Sequence, residues 1–297
     1  MRQLFPLLFC CLLAACADGA PLLPAGAVLP GGGRYRGEMV DGLLQGEGRI
    51  DYPNGSSYRG SFKDGQWQGH GVWQGANGDR YEGEFKQGLF DGQGRFSYSA
   101  GGVYEGHFLR GSLNGEGRYT EPGTSYEGKF KDDLYHGTGK LQSTDGVTYE
   151  GEFAAGQPHG EGTRSDESGE LSGTFVDGSL TGEGLYRGND GEHYLGSFRS
   201  DLFHGQGRYE DAIGNIWTGS FKHGELSGEG RHEGTDGTRY SGGFERWLYQ
   251  RKGHLQLPDG SQYRGAFRAG RFGGPGTLTL SDGPEQSGTW HAHRLSH

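Results

Sequence analysis

The sequence predicts an all-β chain: an elongated antiparallel β-meander of repeated hairpins. Three observations predict it. The word Tyr-x-Gly-x-Phe returns every 22 or 23 residues. Large and bare positions alternate with period two on both sides of a short turn, as they do in strands. Glycine supplies 63 of 297 residues, about three times its usual share. Such a composition without a period would read as disorder, so the period decides the class.

The first 15 residues, MRQLFPLLFCCLLAA, open with one cation, Arg2, and continue as an apolar run from Leu4 to Ala15. The run is too short to cross a bilayer and suits the core of a signal peptide. It leads into Leu13-Ala14-Ala15-Cys16, which resembles the bacterial lipobox. Small residues fill the two places before the cysteine, and leucine precedes them. The resemblance implies cleavage before Cys16, lipidation of Cys16 and attachment to a membrane. Ala17 follows the cysteine, and Asp18 stands one place too late for an inner-membrane retention signal, so the resemblance leans to the outer membrane. Each buried acyl methylene contributes about 0.8 kcal/mol to such an anchor. Residues 16–34 then read as a lipidated cysteine and a flexible tether, rich in Pro, Gly and Ala.

Residues 35–283 read as the repeat array. The glycine of the repeated word falls at Gly37, Gly60, Gly83, Gly106, Gly128, Gly151, Gly173, Gly196, Gly219, Gly242, Gly265 and Gly288. In YRGSF, Tyr58, Gly60 and Phe62 share one strand face; in GHGVW, Gly69, Gly71 and Trp73 share another. A hairpin of constant index sum sets Tyr58 opposite Trp73, Gly60 opposite Gly71 and Phe62 opposite Gly69. Cross-strand pairs of this kind stabilise a sheet by about 0.2–1 kcal/mol each. A second turn, PNG at 53 and ANG at 76, has the chemistry of a hairpin connection. Eleven hairpins follow, and residues 284–297 form a degenerate cap that keeps Trp290. At ~4.8 Å per strand the array would be on the order of 100 Å long.

Each unit reads Y-x-G-x-F-x-x-G-x-x-x-G-x-G, as in YRGSFKDGQWQGHG at 58, YEGEFKQGLFDGQG at 81 and YRGAFRAGRFGGPG at 263. This resembles the MORN repeat family. The repeat positions Tyr58, Gly60, Phe62, Tyr81, Gly83 and Phe85 are structural under that resemblance. Some units depart from the pattern. Met39 replaces Phe in the first, Leu171 and Trp217 replace Tyr in the seventh and ninth, and Asp133, Asp201 and Trp247 replace the first turn glycine.

The glycines are not a phosphate cradle, because no helix follows them. No nucleophile elbow, zincin helix or Cys-Cys metal pair is present. All three cysteines, Cys10, Cys11 and Cys16, lie at the N-terminus, so the body has no disulfide framework. The carboxylates at 82, 105, 127 and 150, and those at 47, 116, 161, 183 and 229, recur in ladders on the face opposite the rings. They read as a solvated face rather than as acid–base pairs. His136, His159 and His204 share one repeat position and read as turn residues. No cofactor, metal or catalytic residue is expected. A net charge of −10 with no basic block argues against nucleic acid.

The resemblance implies an elongated scaffold that mediates protein association or membrane attachment. The protein partner and the oligomeric state stay open. A second reading is a carrier that holds an extended lipid or glycan along the aromatic face. The candidate partner site is the tenth unit, YSGGFERWLYQRKG at 240. There Trp247 stands at the turn glycine and Arg251 where the paired glycine of the repeat begins, with Lys252 and Arg246 nearby. Trp, Tyr and Arg are the side chains most enriched at interface hot spots.

Overall fold

A computed structural model of the chain describes Leu29 and residues 31–296. Cys16, the lipobox and most of the tether lie outside the described residues. The described chain holds 24 strands and no helix. It divides into two compact units, one ending at Gln157 and one starting at Pro158. Within each unit successive strands pair antiparallel with their chain neighbours, so each is an open meander.

The first two hairpins show how the sequence builds the pattern. Arg34–Val40 pairs with Leu43–Asp51, and Ser57–Lys63 pairs with Gln66–Gln74. The turn inside the second hairpin has only two residues, Asp64 and Gly65, both left-handed at φ 51° and 80°. That is the twist-matched turn a short hairpin favours. The connection to the next hairpin is longer. In the first such link the Tyr52 N–H donates to the Ser56 carbonyl at 2.9 Å, and Asn54 Oδ1 accepts the Ser56 N–H at 3.0 Å. Each short turn is also fastened to the hairpin before it: Gly65 N–H donates to Leu44 O at 3.0 Å and Gly88 N–H to Trp67 O at 2.9 Å.

The register departs from constant index sum in one respect. Tyr58 faces Trp73 and Gly60 faces Gly71, but Phe62 faces Trp67, not Gly69. The single residue Ser61 therefore spans the three residues 68–70. This bulge needs a left-handed residue, and Gly69 supplies it at φ 66°. The displaced glycine pairs on its other edge: Gly69 faces Phe85 of the next hairpin, as Gly46 faces Phe62. The bare backbone lies opposite phenylalanine as expected, but one strand further along.

The core is one layer of rings on one face. Tyr35, Tyr58, Tyr81, Tyr104, Tyr126, Tyr149, Tyr194, Tyr240 and Tyr263 are 0–2% exposed. Each donates its hydroxyl to the carbonyl three residues on, at 2.8–3.1 Å. Tyr58 meets Phe62 edge-on at 5.1 Å, meets Phe85 edge-on at 4.9 Å, and stacks on Trp67 at 4.5 Å. Such pairs add about 0.5–1.5 kcal/mol each beyond area burial. The ring also lies against the glycine pair. A methyl on Gly71 would sit 2.6 Å from the Tyr58 hydroxyl oxygen, and one on Gly60 would sit 2.6 Å from Gly71 Cα. The opposite face is polar. Glu47, Glu105, Glu116 and Glu150 are exposed there. Arg95 bridges Glu105 at 2.9 Å and Lys140 bridges Glu150 at 3.1 Å. Exposed pairs like these contribute about 0–1 kcal/mol.

Gly71→Ala should therefore cost more than ~3 kcal/mol, because its methyl collides with the buried Tyr58 ring and hydroxyl. Arg59→Ala, on the polar face of the same hairpin, should stay within about 0.5 kcal/mol of the parent. Urea unfolding of the two variants checks the difference; equal losses would contradict the packing described here.

Candidate interaction site in the ninth to eleventh repeats

The site is built on three hairpins: Ile216–Lys222 with Glu225–Glu233, Arg239–Glu245 with Leu248–Gln256, and Gln262–Arg268 with Arg271–Thr279. All three belong to the second unit. Trp247 occupies the turn position at φ 68°, a left-handed conformation that a bulky residue adopts at a cost of about 1–2 kcal/mol. Its ring folds back onto the preceding repeats. It meets Tyr209 at 5.0 Å, Phe221 at 5.6 Å and Trp217 at 5.9 Å, all edge-on. Its N–H donates to Leu226 O at 3.1 Å.

The reason lies in the ninth repeat. Trp217 replaces the buried tyrosine, and Leu226 stands where the stacked ring is usual. A leucine there is smaller than a ring and leaves room for a side chain at the next turn. The same coupling occurs twice more. Leu113 precedes Asp133, and Leu180 precedes Asp201; each aspartate accepts the leucine N–H, at 2.7 and 2.8 Å. Asp201 also bridges Arg164 at 3.1 Å, and the Arg164 guanidinium lies over Phe175 at 5.8 Å. Leu44 is followed by Gly65, so the leucine permits a turn side chain without requiring one.

Beside Trp247 the rings enclose a histidine. His232 stacks on Trp217 at 4.6 Å, and its Nδ1 shares a 2.6 Å hydrogen bond with the Tyr249 hydroxyl. Its Nε2 is buried without a hydrogen-bond partner. Burial pushes the Tyr249 hydroxyl up to about 12, so it stays protonated at neutral pH. Burial lowers the His232 pKa below its ordinary 6.5, against the opposing pull of Asp236, Asp211 and Glu233.

Arg251 sits at the bulge position, which is glycine in the other units, and has φ 63°. It faces Phe267, while Lys252 faces Ala266. The strand next to it carries the compensating change. The residue across the bulge is Ser61, Glu84 or His107 in earlier repeats and Gly243 here. A methyl on Gly243 would lie 2.6 Å from the Gln250 carbonyl oxygen and 3.2 Å from Arg251 Cβ. Side chain and glycine have thus changed places, which sets Arg251 on the polar face with its stem over bare backbone. Arg251 and Lys252 are exposed. A shallow hollow of about 530 Å³ lies on the three strands before theirs, lined by Thr218, Glu229, Arg231 and Ser241 over the backbone of Gly219, Gly230 and Gly242.

The structure therefore separates the three residues singled out by sequence. Trp247 packs among rings on one face, and Arg251 and Lys252 stand on the other. Sequence reasoning missed the His232–Tyr249 contact and the Gly243 exchange. A comparison of Gly243 with the other repeats would have found the second. Among the described residues no three His, Cys, Asp or Glu side chains gather to hold a metal, and His136, His159 and His204 join no such group.

Two outcomes follow. Trp247→Gly relieves a strained turn but opens the ring cluster, so it should lose about 2 kcal/mol; Arg251→Gly removes only strain and should gain about 1 kcal/mol in urea unfolding. Between pH 6.5 and the lower folded-state pKa of His232, the unfolded chain binds the proton and the folded chain does not. Stability of the second unit should therefore fall as pH drops below about 6.5, and His232→Phe should flatten that slope.

Comparisons place the chain. The MORN repeat model matches residues 35–57, 58–80, 81–103, 104–122, 126–148, 149–170, 172–193, 194–216, 217–239 and 263–284. Residues 240–262, the tenth unit, fall between two matches. No curated protein matches the sequence. Among solved structures, the TCP10 domain of Danio rerio CPAP in complex with a STIL peptide is 13% identical, with 86% of this chain and 99% of that chain covered and a TM-score of 0.31. The SAS-4 (dCPAP) TCP domain of Drosophila melanogaster, in complex with a proline-rich motif of Ana2, is 12% identical, covers 91% and 100%, and has a TM-score of 0.18. Virginiamycin B lyase from Staphylococcus aureus is 10% identical, covers 77% and 89%, and has a TM-score of 0.14. Such low scores carry no argument about function. The ten matched repeats span most of the sequence, and the chain belongs to the MORN repeat family.

Proposed function

We propose that the protein is a lipid-anchored scaffold of a bacterial cell envelope, without catalytic activity, that holds a protein partner through its C-terminal repeats. The repeat family supplies the coarser part: this is a repeat-based interaction protein. One observation carries the finer part. The tenth hairpin departs from the repeat at both its turn and its bulge, keeps the fold through compensating changes, and presents Arg251 and Lys252 outward. A site under selection for folding alone has no use for an arginine at a left-handed bulge position.

The aromatic face supports a scaffold better than a carrier of lipid or glycan. Its nine regular tyrosines are already buried by their own neighbours and by backbone. An extended ligand would have to displace that packing. The anchor rests on the lipobox at Cys16, and the lean to the outer membrane rests on Ala17.

Cys16→Ser should release the protein from membranes and leave the signal peptide uncleaved. Fractionation, with mass spectrometry of the N-terminal peptide, reads both effects. Membrane retention with an unmodified Cys16 would remove the anchor from this reading. In crosslinked pull-downs from native membranes, the folded Arg251→Gly, Lys252→Gln variant should lose partner capture; unchanged capture would remove the site.

A further inference from the structure

Charge is distributed unevenly along the chain. The whole carries −10, yet residues 248–279 hold five cations and one carboxylate, Asp259. The cations are Arg251, Lys252, Arg264, Arg268 and Arg271, and all five are exposed. Strand alternation puts Lys252, Arg264, Arg268 and Arg271 on the polar face. The exchange with Gly243 puts Arg251 there as well.

Elsewhere on the polar side some exposed cations, Arg59 and Arg118 among the described residues, also make no ion pair, while others do. Arg49 is paired with Asp51 at 2.7 Å, Arg95 with Glu105 at 2.9 Å and Arg208 with Glu210 at 2.8 Å. Among the described residues, none of the five makes an ion pair; Arg246, at the edge, reaches Glu225 at 3.9 Å. The local acids are engaged or set apart. Glu245 accepts a hydrogen bond from Gln250 at 3.0 Å, Asp259 accepts the Ser261 N–H at 2.8 Å, and Glu229 lines the hollow two strands away from Lys252. Arg268 faces Arg271 directly, and His254 faces Arg264. Like charges directly opposite on a ladder destabilise it. The fold thus bears both a left-handed arginine and a facing arginine pair, with no internal anion to offset them.

We propose that this face binds an acidic, extended polypeptide segment of a partner protein. The proposal rests on the scaffold reading for its biological setting and on charge complementarity for its chemistry. Arginine matches carboxylates in a two-pronged geometry. The hollow over Gly219, Gly230 and Gly242 ends on the strand that pairs with that of Arg251 and Lys252. A bilayer fits less well. Binding at a bilayer interface draws on apolar side chains as well as cations. These strands expose one large apolar residue, Leu248, beside the turn at Gly270, which is little apolar surface for a bilayer.

The test uses the full chain purified in detergent and a fluorescein-labelled octaglutamate peptide at low salt. Anisotropy should show saturable binding that weakens as salt rises. Arg264→Glu with Arg268→Glu and Arg271→Glu should weaken it at least ~10-fold, an effect of charge reversal at an interface. Arg49→Glu, in the first hairpin, should leave it within about twofold. If the reversed variant fails to show the parent's circular dichroism, Arg264→Gln with Arg268→Gln and Arg271→Gln takes its place, with loss still expected. No saturable binding, or equal loss in the Arg49→Glu control, overturns the proposal. So does patch-dependent binding to phosphatidylglycerol vesicles without binding to the peptide, which would assign the face to lipid headgroups. A membrane-retained Cys16→Ser variant would change the setting and leave this assay untouched.

Discussion

A tyrosine ring laid on two facing glycines is the contact on which the rest of this structure depends. A one-layer sheet has no second layer to cover its apolar face. Here the rings are sunk into the sheet where side chains are missing. The Tyr58 hydroxyl reaches the backbone at Ser61 O, 2.9 Å away, and the ring fills the space over Gly60 and Gly71. Phe62 and Phe85 then close its edges. Each repeat completes the burial of its neighbour, which is why the array needs many copies and tolerates few gaps.

The exceptions obey the same constraint. Where the ninth repeat loses its tyrosine, Trp247 brings a ring from the next turn. Where Leu171 of the seventh repeat and Arg164 of the sixth face each other in place of rings, Asp201 reaches over from the eighth repeat's turn to pair the arginine. In both cases the substitute comes from the position whose N–H already docks on the preceding hairpin. The turn glycines are therefore more than turn formers: Gly88, Gly111, Gly156, Gly224 and Gly270 each dock over a residue that carries a ring. The tenth repeat goes further. It moves a glycine across the ladder, from 251 to 243, and so turns a cation toward the polar face without breaking the bulge.

Much of this was legible in the sequence because the period is short and strict. Alternation in YRGSF and GHGVW gave the two strands, the shared face and the Gly60–Gly71 pair. The bulge was not legible. Phe62 opposite Gly69 and Phe62 opposite Trp67 are equally consistent with alternation, and only the left-handed backbone at Gly69 separates them. Trp247 was legible as unusual but not as self-satisfied, since its contacts come from residues 26 to 38 positions earlier. The direction of the Arg251 side chain depends on a second residue across the ladder, and one strand read alone does not contain it.

The contact at the centre of this account can be read position by position. Tetranitromethane modifies accessible tyrosines, and peptide mass spectrometry locates the product. In the native chain Tyr35, Tyr58, Tyr81, Tyr104, Tyr126, Tyr149, Tyr194, Tyr240 and Tyr263 should stay unmodified, while the half-buried Tyr52 and Tyr186 react. Nitration of those nine at the rate of Tyr52 and Tyr186 would contradict the account.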